Sequence, residues 1–122
     1  MTISEKDSLY NWHPYTQHKI YSHFPAIVKG KEEFLWDENG KKYIDAIASW
    51  WVNPFGHSNT FIADAIYKQL TTLEHVLFGG FTHNVVVELA EKLVEILPSN
   101  QRKFFYSDNG STAVEVAIKA SF

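Results

Sequence analysis

The sequence contains no cysteine, which rules out a disulfide frame, a thiolate nucleophile and any metal site built on thiolates. It also lacks a basic run. Eleven Lys and Arg stand against fourteen Asp and Glu, for a formal net charge of −3, which argues against a nucleic-acid or anionic-membrane surface. Long hydrophobic runs are missing too. The uncharged stretch after Asp45 is broken by Asn53, Pro54, Gly56 and His57, far short of the roughly 20 apolar residues of a transmembrane helix. Glu5, Lys6 and Asp7 leave no apolar segment of signal-peptide type near the start. A reducing, cytoplasmic setting with small-molecule or protein partners is the expectation. Only four prolines and six glycines occur among 122 residues that are 45% hydrophobic, which excludes a disordered or collagen-like segment and fits one soluble domain at most. What the chain has in excess is aromatic rings, 16% of residues including four Trp.

Residues 1 to 25 carry Tyr10, Trp12, His13, Tyr15, Tyr21 and Phe24 without a clear period and read as an ordered arm leaning on something else. From residue 26 to 45 the pattern is strand, Asn39-Gly40 turn, strand, a small antiparallel meander. Ser58 or Asn59 can cap a helix over about 59 to 73, whose Ile62, Ala65, Ile66, Leu70 and Leu73 keep helical spacing. Phe78-Gly79-Gly80-Phe81 reads as a loop. A second helix over about 84 to 97 places Val86, Leu89, Ala90, Leu93, Ile96 and Leu97 on one face and is closed by Pro98. Lys103 to Ser107 is expected to be a short strand feeding the turn Asp108-Asn109-Gly110-Ser111-Thr112 and a final helix. The chain stops at Phe122 in mid-helix, and one strand between helices is no finished sheet. An N-terminal piece of a longer protein is expected.

Three groups could carry chemistry. The turn at Gly110, Ser111 and Thr112 opens a helix, where free amides and the positive end of the dipole suit a phosphate; an ordinary capped helix reads the same way. It is neither a Walker A loop nor a dinucleotide fingerprint, because their further glycines and Gly-Lys pair are absent. Trp12, Tyr15, Trp50 and Trp51 stand in irregular segments and could wall a pocket for a planar or cationic ligand such as a purine or a sulfonium. Burial in a core or subunit interface is the competing explanation. The six histidines have no metal-site spacing, since His13, His18 and His23 recur every five residues, and no metal site is expected.

Taken in order and at their separations, Trp12-His13-Pro14-Tyr15-Thr16-Gln17, Asp45-Ala46-Ile47-Ala48-Ser49-Trp50-Trp51, Phe78-Gly79-Gly80-Phe81-Thr82-His83 and Ser107-Asp108-Asn109-Gly110-Ser111-Thr112-Ala113-Val114-Glu115 closely resemble the start of the adenosylmethionine-8-amino-7-oxononanoate aminotransferases. These are class III pyridoxal-phosphate enzymes of biotin biosynthesis. The Gly-Ser-Thr turn alone would point only to the wider class.

The resemblance implies an α/β fold, the N-terminal part of a fold-type I pyridoxal-phosphate transferase. Residues 1–52 would be the arm and meander of a small domain, and 53–122 the incomplete start of a large cofactor-binding domain. It further implies that Gly110 and Ser111, with Thr112 beside them, hold the pyridoxal 5'-phosphate. Tyr15, Trp50 and the adjoining Trp51 would line the substrates, S-adenosylmethionine and 8-amino-7-oxononanoate. Gly79 would lie in a loop approaching the site of a partner subunit in a homodimer. Val52-Asn53-Pro54-Phe55 departs from the more apolar stretch of the family. Transamination also needs a lysine bonded to the cofactor and an acidic group on the pyridine nitrogen. None of the lysines from Lys19 to Lys119 stands in a matching context, so no catalytic residue is assigned here and no activity is expected of these residues alone. Two alternatives remain: a class III aminotransferase with another amino donor, and a non-catalytic phosphate-binding module.

Overall fold

A computed structural model describes residues 1–21 and 23–122. The elements run α1 (Ile3–Tyr10), β1 (Ile27–Lys31), β2 (Phe34–Asp37), β3 (Lys42–Ile44), the one-turn segment α2 (Ala48–Trp51), α3 (Thr60–Leu70), α4 (Asn84–Ile96) and α5 (Gly110–Ala120). Packing divides the chain into two units, Met1–Thr72 and Leu73–Phe122.

In the first unit the expected meander forms, with strand order β1-β2-β3 and both pairs antiparallel. Its register sets Lys31 against Phe34 and Gly30 against Leu35 on one side, and Leu35 against Tyr43 on the other, with a bulge between Ile27 and Lys29. The Asn39-Gly40 turn closes as its sequence dictates: Gly40 takes φ +79°, which a side chain would resist. Asp37 organises this turn. Its carboxylate accepts from the Asn39 and Lys41 amides, each at 2.9 Å, and from the Tyr43 hydroxyl at 2.7 Å. The Tyr43 hydroxyl, ahead of the two amides, holds the Asp37 carboxyl below the usual carboxylate range.

The arm is more regular than its lack of period suggests, because residues 3–10 form a helix. Too few apolar residues lie there to make a stripe, and a capping box starts the helix instead. The Thr2 hydroxyl accepts from the Glu5 amide at 3.1 Å, and the Glu5 carboxylate accepts from the Thr2 amide at 2.8 Å. Glu38, in the meander turn, then accepts from the Ile3 and Ser4 amides at 2.9 and 3.3 Å, and so ties the arm to the sheet. Such contacts place a carboxylate at the positive end of the helix.

The expected helix over 59–73 is present but ends at Leu70. Asn59 caps it, its side chain accepting from the Ile62 amide at 3.2 Å. At the other end the hydroxyls of Thr71 and Thr72 donate back to the carbonyls of Tyr67 and Lys68, which closes the last turn early.

In the second unit, α4 matches the expected 84–97 helix. Leu97 is extended at its C-cap, as a residue before proline prefers. The strand expected at Lys103–Ser107 does not form. A strand exists only by pairing, and no described residue pairs with that segment. It runs irregularly to Asn109, which caps α5.

No hydrophobic residue among the described ones is buried; Asp37, at 6% exposure, is the one buried residue. The apolar face of α3 is uncovered at Ile66 and Leu70, that of α4 at Leu89 and Ile96, and that of α5 at Val114 and Ile118. Amphipathic helices draw most of their stability from packing that face. Residues 1–122 prepared alone should therefore self-associate and bind a hydrophobic dye. A monodisperse monomer with a cooperative melt in light scattering and calorimetry would count against this.

Candidate functional site

The site builds outward from the end of β3. Asp45 follows it directly and extends the ladder, its amide donating to the Glu33 carbonyl at 2.8 Å. Its carboxylate, only 6% exposed, accepts the Ser49 hydroxyl and the His57 ring on the same oxygen, Oδ2, each at 2.7 Å. A carboxylate can only accept, so His57 carries its proton on Nε2. The Ser49 amide, then the Ser49 hydroxyl, then His57 hold the Asp45 carboxyl down at about 2.

His57 is itself fixed from both sides. Its backbone pairs with Glu32, the two amides donating to opposite carbonyls at 3.0 and 2.8 Å. Its side chain packs against Gly30, where an added Cβ would fall 2.8 Å from the His57 Cβ. Gly56, at φ +82°, brings the chain to within 3.0 Å of the Glu32 Cα at the place a Cβ would occupy. Glycine is needed at both positions, for close approach at Gly30 and for approach and backbone sign at Gly56.

The clamp on Asp45 leads into α2, which winds left-handed: Ala48, Ser49, Trp50 and Trp51 have φ of 48°, 48°, 61° and 65°. An L-residue there costs about 1–2 kcal/mol, and bulky side chains rarely adopt it. The Trp51 amide bonds the Ile47 carbonyl at 2.9 Å and the Asn53 amide bonds the Ala48 carbonyl at 3.0 Å. This winding turns Trp50 toward the arm, where its ring meets Tyr15 with centroids 5.5 Å apart and planes inclined by 57°. Tyr15 is also left-handed, at φ 56°. It is bracketed by His13, which bonds Asp7 at 2.6 Å and packs on Phe24 at 4.3 Å, and by His18, whose Nε2 accepts the His13 amide at 2.9 Å.

Of the four expected wall rings, the structure brings Tyr15 and Trp50 together. Trp12 pairs instead with His18 at 6.0 Å, and Trp51, 76% exposed, makes no ring contact among the described residues.

In the second unit, Asn109 and Thr112 form a reciprocal capping box at the start of α5. The Asn109 side chain accepts from the Thr112 amide at 3.1 Å, while the Thr112 hydroxyl accepts from the Asn109 amide at 3.2 Å and donates to its carbonyl at 2.9 Å. Among the described residues, Gly110 and Ser111 keep their amides, and Ser111 its hydroxyl, without a protein partner. A Cβ on Gly110 would meet nothing within 4 Å. Three free donors thus stand at a helix N-terminus beside an open Gly110, a set that fits a phosphate; the Thr112 hydroxyl is spent on the cap. Gly79 lies in the 78–81 loop, but the residue there whose backbone requires glycine is Gly80, at φ +116°. Phe78 ties this loop to Tyr106 at 6.0 Å.

Residues 15–122 match the family Aminotransferase class-III. The chain belongs to the class III aminotransferases. Members of this family depend on pyridoxal phosphate. The chain is 50% identical over 122 residues to the adenosylmethionine-8-amino-7-oxononanoate aminotransferase of Staphylococcus aureus, covering 98% of this chain and 27% of the relative. A crystal structure of the enzyme of that name from Methanocaldococcus jannaschii superposes with TM-score 0.88 at 42% identity, over 96% of this chain and 27% of that one. An omega transaminase from Pseudomonas jessenii, in complex with PMP, gives 0.87 at 34% identity, over 98% of this chain and 27% of that one. The chain thus spans about a quarter of the length of these class III relatives.

The sequence reading missed Asp45, His57, Gly30 and the handedness of α2. The Gly56-His57 dipeptide, eleven residues after Asp45, was the available signal. Two outcomes follow for this class III chain. Gly30→Ala displaces His57 and should lower the melting stability of the protein by about 1–3 kcal/mol. Asp45 has its folded value below the ordinary 3.8, so its contribution is full above about pH 4 and is lost as pH falls toward about 2. Asp45→Asn should remove that part of the acid loss, read from denaturant melts across this window.

Proposed function

We propose that the complete protein moves an amino group from S-adenosylmethionine to 8-amino-7-oxononanoate, giving 7,8-diaminononanoate in biotin biosynthesis, as a cytoplasmic homodimer. The observation that carries this reading is the Tyr15–Trp50 pair, two rings on left-handed residues meeting at 5.5 Å in a chain 50% identical to a relative of that name. The π faces of Tyr and Trp attract a sulfonium cation, and their flat area suits an adenine.

In this reading the Gly110 and Ser111 amides and the Ser111 hydroxyl take the phosphate of pyridoxal 5'-phosphate, with Thr112 acting through the cap. When bound, the cofactor supplies an electron sink and a carrier for the amino group. Tyr15 and Trp50 orient the substrates and exclude water on one side, and Trp51 adjoins them. Gly79 belongs to the loop that approaches a partner's site. Residues 1–52 and 53–122 would then be parts of the small and the large domain. The lysine that exchanges the proton lies outside the 122 residues, so these alone should show no turnover.

A second reading, a class III aminotransferase using a simple ω-amine, is favoured by the omega transaminase superposing with TM-score 0.87. Assaying the complete enzyme with S-adenosylmethionine against simple ω-amines separates the two: diaminononanoate formed from S-adenosylmethionine supports the first, and turnover of the amines alone overturns it. Trp50→Ala and Tyr15→Ala should cut kcat/KM about ten- to a hundred-fold with cofactor content unchanged, whereas Ser111→Ala should weaken cofactor binding. Equal losses of cofactor and melting temperature at Trp50 or Tyr15 would make them packing residues.

A further inference from the structure

We infer that Asp45 is a positioning residue for the substrate wall, acting through Ser49 to hold α2 left-handed and Trp50 against Tyr15. This rests on the reading of Tyr15 and Trp50 as substrate-lining.

Four successive left-handed residues without a glycine cannot persist on their own backbone bonds, because a single helical turn is an unfavourable nucleus even in the preferred hand. Strain of this kind survives only where the surroundings over-determine it. In α2 the over-determination comes from one carboxylate oxygen. Asp45 Oδ2 takes the Ser49 hydroxyl from inside the turn and the His57 Nε2–H from outside it, each at 2.7 Å. The backbone on both sides is fixed to the sheet: Asp45 bonds Glu33, and His57 pairs with Glu32 and presses on Gly30. Rigidity therefore passes from the meander through Asp45 to Ser49, and Ser49 is the residue bonded to Trp50. None of Asp45, Ser49 or His57 is in ring contact with Tyr15 or Trp50 among the described residues, so each would act on substrate only through the ring it positions.

The test is a double-mutant cycle on the complete enzyme with its cofactor. Ser49→Ala deletes one exposed hydroxyl, and Asp45→Asn withdraws the charge. Each is made alone and in the Trp50→Ala background, with kcat, KM, cofactor content and melting temperature measured. If Asp45 works through Trp50, each single change lowers kcat/KM about ten-fold or more, and in the Trp50→Ala background its further effect shrinks to within about two-fold. Ser49→Ala keeps cofactor content and melting temperature near the parent and weakens the near-ultraviolet circular dichroism of the Tyr15–Trp50 pair. Losses of equal size in both backgrounds, or a fall in melting temperature with kcat/KM unchanged, overturn the inference. Should Asp45→Asn fail to fold, the Ser49→Ala cycle decides it. If the enzyme turns over a simple ω-amine and not S-adenosylmethionine, the donor reading falls by itself. The cycle is then read on that amine, where coupling supports the role of Asp45 and additivity overturns it.

Discussion

A carboxylate that must find donors sets the geometry of the first unit. Asp45 leaves β3 with its side chain nearly out of water, and a charge there is tolerable only when hydrogen-bonded. Ser49 can reach it only if residues 48–51 turn back sharply, and His57 can reach it only if Gly30 leaves room for the ring. The glycine at position 30, the positive φ at Gly56 and the left-handed turn then all serve to satisfy one group, which the meander holds in place. The direction of the Trp50 ring follows from that turn.

Order in this chain comes from polar anchors more than from a core. Asp37 gathers three donors at the hairpin, Glu38 holds the start of α1, Asp7 holds His13, and Asn59 and Asn109 start α3 and α5. Each such bond is worth only about 1 kcal/mol net, somewhat more with a charged partner. They fix the paths of loops and helix ends without supplying the hydrophobic burial that stabilises a domain. Local structure is consequently well specified by sequence while the large apolar faces stay uncovered.

That distinction also decides what was legible in advance. The Asn39-Gly40 turn, the helical periods of α3 and α4 and the Asn109 turn into α5 are local signals, and all four sit where the sequence places them, with α3 closing early at Leu70. The helix at residues 3–10 was also written locally, as Thr2-x-x-Glu5, but its weak apolar pattern hid it. Lys103 to Ser107 has strand composition, yet a strand needs an edge and composition cannot provide one. The handedness of α2 depends on His57, eight residues beyond Ser49, and on Gly30 in another strand. No periodicity carries such a dependence. The aromatic rings were visible as a set, but which two of the four would meet followed from those distant contacts.

Asp45 stands near the strained turn as the obvious partner for a cationic ligand, but its Oδ2 is already occupied by Ser49 and His57. Tyr15 and Trp50 are both neutral rings, and both stand largely exposed where they meet. In the proposed reading a sulfonium would be held by polarisability and by the ring quadrupole, an attraction of about 0.5–2 kcal/mol that grows as water is excluded. A charge-paired site would bind any amine of the right length. If these rings line the substrates as proposed, a wall of two neutral rings would select by flat area and shape and favour a ligand that carries an aromatic group beside its positive charge.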